Sequence, residues 1–212
     1  MSRLPFIIVI ATVWCYWGSV ILMILRSRLK FGASSGAVPR TIRERLMWLV
    51  WVPTVIAWQV VPGVAYISSH PMLRAPQWAV DRSNSTINWL AVIAAVMAYV
   101  FTVPCWLTLK SNWSLAIVPE KSTQLVTHGL YARIRHPIYA LGIVLLTATI
   151  IVAPSPAMLL VGIAHIILVL LKSESEERFL KEKHGQVYGD YCKRSGRYLP
   201  WPLKLENLSA GR

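Results

Sequence analysis

IYALGIVLLTATIIVAPSPAMLLVGIAHIILVLL, running from Ile138 to Leu171, decides between one long membrane helix and two short ones. It holds two apolar runs, Ile138 to Ala153 and Ala157 to Leu171, on either side of Pro154-Ser155-Pro156. A proline inside a helix removes a backbone donor and collides with the preceding turn. Two of them at the centre therefore predict a helical hairpin. Each run falls short of the ~20 residues that cross a bilayer, so the hairpin must be lengthened at its inner end by the polar turns that flank it.

Three further apolar runs precede the hairpin: Leu4 to Leu25, Leu46 to Ile67 and Ile87 to Leu109. Each is long enough to span a hydrocarbon core as a helix. The second contains Pro53, Pro62 and Gly63, which membrane helices tolerate when neighbours satisfy the freed backbone groups. The fold class that follows is all-α: an integral membrane protein of about five transmembrane helices, the last two a short hairpin, with a cytosolic C-terminal helix. Residues 1–109 form a three-span membrane region. Residues 110–212 add a membrane-edge segment, the hairpin and the tail, within one structural domain overall. The first run exceeds the ~7 to 15 residues of a signal-peptide core, and its basic residues follow it, so it reads as a span.

Composition agrees, with 55% hydrophobic residues and only 15% charged ones. The net charge of +13 would suggest nucleic acid in a soluble chain. Here the charges sit at the ends of apolar runs, where they anchor and orient spans, and no clustered basic face is left for nucleic acid. Lys and Arg number six from Arg26 to Arg45, two in the loop after the second run, four from Lys110 to Arg135, and nine from Lys172 onward. Six, four and nine fall on one side, which predicts the N-terminus outside and the C-terminus in the cytoplasm. The three cysteines show no paired spacing, and the five histidines lack the close pairing of a metal site, so no metal is expected.

Two polar clusters flank the hairpin. HGLYARIRHPIYALG, His128 to Gly142, leads into it, and Glu174, Glu176 and Glu177 follow it. A hairpin brings both to the same end, cations facing acids. The glutamates suit an ammonium group, Arg135 and His136 a carboxylate, and Tyr131 and Tyr139 a ring or sulfonium by stacking or cation–π contact. The same glutamates also match an ordinary solvated helix face, since Glu174 and Arg178, like Glu177 and Lys181, are spaced i, i+4. His165 is the one ionisable residue in mid-span, a weak candidate for the same pocket.

GLYARIRHPIYALG and ESEERFLKEKHGQVYGDYCKRSGRYLPW resemble the C-terminal signature of the isoprenylcysteine carboxyl methyltransferase family and its phospholipid methyltransferase relatives. Arg135, His136, Pro137 and Tyr139 match its RHPxY motif, and Glu176 and Glu177 its acidic pair. Gly185, Tyr188, Tyr191, Arg197 and Pro200 echo its tail, the likeness covering about the last 90 residues. The departure is Leu141, which stands where the pattern has glycine, with Gly142 one place later. The resemblance implies S-adenosylmethionine as cofactor, held by His136, Tyr139 and Glu177 with His128, Gly129, Tyr131, Pro137 and Gly142. It implies Arg135 and Glu176 on the side of a lipophilic or small methyl acceptor that enters from the bilayer. The alternatives are an inactive relative and a non-enzymatic membrane protein. A small transporter would want several mid-membrane ionisable residues and an internal repeat; His165 stands alone and no repeat is present.

Overall fold

The computed structural model describes residues 3–31, 42–83, 85–109, 113 and 124–200. Its helices are α1 (Leu4–Phe31), α2 (Ile42–Ala65), the short α3 (Gln77–Asp81), α4 (Thr86–Leu109), α5 (Pro137–Val152), α6 (Pro156–His184) and α7 (Gln186–Arg194). A 3-10 turn, Gly129–Ala132, precedes α5. α1, α2, α4 and α6 are long and apolar enough to cross a membrane, and α5 is a shorter apolar helix.

The hairpin forms where the prolines require it. α5 ends at Val152, and Ser155 caps α6 by accepting a hydrogen bond from Met158 N at 3.1 Å, with Pro156 in the first helical position where its missing N–H costs nothing. α6 runs past its apolar part, which ends at Leu171, for three more polar turns and stops at Gly185, whose φ of +53° favours glycine. The expected lengthening therefore occurs in α6. It does not occur in α5, because Pro137 opens the helix and the residue before a proline is driven out of helical geometry; His136 has φ −123° and ψ 61°.

Two further expectations change. Arg26, Arg28 and Lys30 lie within α1, and Arg43 and Arg45 within α2, where a helix-free loop was expected; the glycines and prolines that would break it lie outside the described residues. Residues 186–194, expected only as part of a compact aromatic and basic tail, form α7. Half of the predicted membrane-edge segment, residues 110–135, also lies outside the described residues.

α5 packs on α4 and α1, and α6 on α2. Ala91, Ala95 and Ala98 form one buried stripe on α4, letting α5 approach closely with Leu145, Leu146 and Ala148. Trp58 of α2 sits fully buried at the centre and donates from Nε1 to Thr149 Oγ1 of α5 at 3.1 Å. Other buried hydroxyls turn back on their own helices: Thr12 to Ile8 O, Thr54 to Val50 O, Thr102 to Ala98 O. At the turn end, Tyr66 OH donates to Val152 O at 2.6 Å, and Ala157 N to Met72 O at 2.9 Å. The opposite end carries the start of α5, the polar turns of α6, and α7.

Candidate functional site

The site begins with a backbone problem. Pro137 opens α5, and the preceding residue, His136, makes no side-chain cap. The tail resolves this by running alongside. Arg135 N donates to Gly196 O at 2.8 Å, His136 N to Arg197 O at 3.0 Å, and Gly196 N returns to Arg133 O at 2.9 Å, a short parallel bridge. Tyr191 OH donates to Tyr131 O at 2.5 Å from α7, and Tyr198 OH pairs with Ser173 Oγ of α6. The residues around the RHP motif are thus framed by a strap more than fifty positions later in the chain.

Within this frame the predicted charges meet. Arg135 Nε and His136 Nε2 each lie 3.1 Å from Glu177 Oε1, and Arg197 Nε lies 3.3 Å from the same oxygen. Arg135 Nη1 also donates to Cys192 O at 3.4 Å and to Ser195 O. Tyr139 OH donates to Glu176 Oε1 at 2.7 Å, and His136 Nδ1 stands 3.7 Å from Glu176 Oε2. His136 therefore lies between the two carboxylates. Its ring stacks on Tyr139 at 5.5 Å and 18°, while Tyr198 approaches at 6.0 Å.

Electrostatics follow from this crowding. Burial pushes the Glu177 carboxyl up, but hydrogen bonds from His136 and Arg135 and their charges outweigh it and hold it at about 2. Arg135 is pulled down by burial and up by Glu177, and ends raised. Glu176 and Glu177 keep 27% and 22% of their side-chain surface exposed, so neither carboxylate is sealed by its partners.

The structure brings Arg135, His136, Tyr139, Glu176 and Glu177 together. The other predicted residues stand around them. Pro137 is the buried first residue of α5; Gly142, one turn further, faces α1, where an added Cβ would lie 3.9 Å from Tyr16 OH. Leu141, in the position of the family's glycine, packs against the apolar core. Tyr131 is buried under α7. His128 is exposed before the 3-10 turn, and Gly129 takes φ +62° beside Thr108 of α4. Glu174 points away, pairing with Arg178 at 3.4 Å on an exposed face. His165 is buried against Trp58 at 5.1 Å, eleven positions before Glu176 along α6 and so about 16 Å away. Sequence reasoning missed Tyr198 and Ser173; the signal available for Tyr198 was its place between Arg197 and Pro200 in the tail motif.

Comparison with known proteins places the match in this part of the chain. The model of a family described as "Isoprenylcysteine carboxyl methyltransferase (ICMT) family" matches residues 89–182. The match takes in most of α4, the 3-10 turn, α5 and most of α6, reaching further upstream than the motifs quoted above and ending before the tail strap. No curated protein matches the chain.

Proposed function

We propose, from the premise that residues 89–182 belong to the isoprenylcysteine carboxyl methyltransferase family, that this membrane methyltransferase takes its methyl group from S-adenosylmethionine and gives it to a lipophilic or small acceptor. The observation that carries the reading is the convergence of Arg135, His136 and Tyr139 on Glu176 and Glu177 at one end of the hairpin.

The residues suit that cofactor chemically. Its ammonium and ribose hydroxyls are donors and need acceptors. Among the described residues, Arg135, His136 and Arg197 reach Glu177 through Oε1, and none of these three contacts falls on Oε2. The stacked His136 and Tyr139 offer a flat aromatic face. Tyr131, Gly129, His128, Pro137 and Gly142 shape the surrounding wall.

When bound, the cofactor supplies an electrophilic methyl carbon, whose bonding pair returns to sulfur as the acceptor's lone pair takes the carbon. Catalysis then rests on holding donor and acceptor in line and dry, worth up to ~7 to 11 kcal/mol of barrier. Arg135 fixes Glu177 and the tail at once, and so acts as a positioning residue as well as a candidate for the acceptor side. Glu176, oriented by Tyr139, takes a proton on a carboxylate oxygen when the acceptor is an amine or thiol; a carboxylate acceptor needs no base.

The orientation that accompanies this reading puts the site in the cytoplasm. The ends of α1 and α2 nearest the site carry Arg26, Arg28, Lys30, Arg43 and Arg45, whereas the other end carries Arg3, Arg74 and Arg82. The test is calorimetric titration of the detergent-purified protein with S-adenosylhomocysteine. Saturable binding is expected, and a folded sample that takes up none defeats the proposal.

A further inference from the structure

Arg197 carries donors that the fold does not use. Its buried Nε stands 3.3 Å from Glu177 Oε1 yet makes no hydrogen bond to a described residue, and 34% of the side chain stays exposed. Arg135, which faces the same oxygen, is only 14% exposed: its Nε donates to Glu177 and its Nη1 to the carbonyls of Cys192 and Ser195. A guanidinium has five N–H donors and no acceptor. The two arginines therefore divide the work, Arg135 tying the tail to α6 while Arg197 keeps its donors for something else.

Arg197 is nonetheless held in place. Its carbonyl accepts from His136 N at 3.0 Å, and its guanidinium carbon lies 5.7 Å from the ring centre of Tyr198, whose hydroxyl is tied to Ser173 of α6. Contacts at the backbone and against the aromatic ring leave the guanidinium less freedom to lose when it takes a partner.

The neighbouring carboxylate indicates the chemistry of that partner. Glu177 is 22% exposed, and the contacts from Arg135, His136 and Arg197 all fall on its Oε1 and none on Oε2. Guanidinium donors and a carboxylate oxygen thus stand side by side, both open. An α-amino acid carries its carboxylate and its ammonium on one carbon, and needs just such an adjacent pair of opposite charges. A lone carboxylate on an acceptor would gain from Arg197 but be repelled by Glu177.

We propose that Arg197, outside the matched residues 89–182, binds the α-carboxylate of the cofactor's amino-acid group while Glu177 takes the ammonium beside it. This rests on the methyltransferase reading above, and it gives to Arg197 the carboxylate that residue chemistry alone offered to Arg135 and His136. The experiment is calorimetric titration with two probes: S-adenosylhomocysteine, and its decarboxylated analogue, which keeps the ring system, the thioether and the amine. The wild type is expected to bind S-adenosylhomocysteine roughly tenfold or more tighter than the analogue. Arg197→Met should erase that preference by weakening S-adenosylhomocysteine alone, the analogue's Kd rising no more than about twofold. Arg197→Lys keeps the charge without the fork and should lose part of the preference. A wild type that binds both probes equally overturns the inference with no variant needed. So does an Arg197→Met chain that weakens both probes together, which marks a merely structural arginine, or one that leaves the Kd for S-adenosylhomocysteine unchanged. Should Arg197→Met fail to fold, the wild-type ratio and Arg197→Lys decide by the same criteria. Absence of S-adenosylhomocysteine binding by the folded wild type defeats the proposed function itself, a result distinct from all of these.

Discussion

Glu177→Gln removes one charge and almost no volume from the point where two guanidinium groups and an imidazole converge. Arg135 Nε and His136 Nε2 at 3.1 Å and Arg197 Nε at 3.3 Å all face one oxygen. The carboxyl is brought from 4.5 to about 2, burial pushing it up and the bonds and charges of His136 and Arg135 pushing it further down. At 1.36 kcal/mol per unit this corresponds to about 3 kcal/mol. Because 22% of the side chain remains exposed, solvent screening reduces the figure to about 2 kcal/mol. For a chain of this size that is a loss of roughly 4 to 8 °C in Tm.

The pH dependence has a definite sign. The folded-state value lies below the unfolded one, so the stabilisation is complete above 4.5 and is lost as pH falls to about 2. Thermal melting of wild type and Glu177→Gln in nonionic detergent should show the full difference at about pH 7 and almost none at about pH 2. Equal melting temperatures at neutral pH would mean that the convergent cations are solvated without benefit. A difference that persists in acid would show that the effect is packing and not charge.

Arg135→Lys keeps the charge but loses the fork that joins Glu177 Oε1 to the carbonyls of Cys192 and Ser195. The tail should then be cut by trypsin several-fold faster near Arg197, and an unchanged rate in limited proteolysis would contradict the clamp. For orientation, a membrane-impermeant maleimide should label Ser69→Cys in intact cells and Glu182→Cys only after lysis; the reverse pattern would invert the topology.

What could be read from sequence follows from which forces leave local traces. Pro154, Ser155 and Pro156 give the hairpin because a missing donor and a cap act within one turn, and Gly185 stops α6 for the same kind of reason. Arg135, His136, Glu176 and Glu177 could be paired across forty positions because a hairpin joins its ends and polar side chains at the end of a span must find partners. α7 was not legible: Tyr188 and Tyr191 are buried three positions apart, but Gly189 between them reads as a turn. The ends of α1 and α2 were misjudged because a helix need not stop where the hydrocarbon does; Arg26, Arg28 and Lys30 continue it into a polar setting.

The tail strap was the least visible element, because backbone-to-backbone bonding leaves no pattern of side chains. Its logic is nonetheless set by Pro137. A proline in the first helical position fixes the start of α5 and displaces His136 from the helix, so the amides of Arg135 and His136 need acceptors from elsewhere. Gly196 and Arg197 carbonyls provide them, and this places Arg197 beside Glu177 and Tyr198 beside His136. The same peptide groups that end the helix correctly thereby set two side chains at the acidic pair. Disrupting the strap must therefore disturb helix start and charge cluster together, which is why the RHP motif and the distant Arg197-Tyr198 form one cooperative unit despite some sixty positions between them.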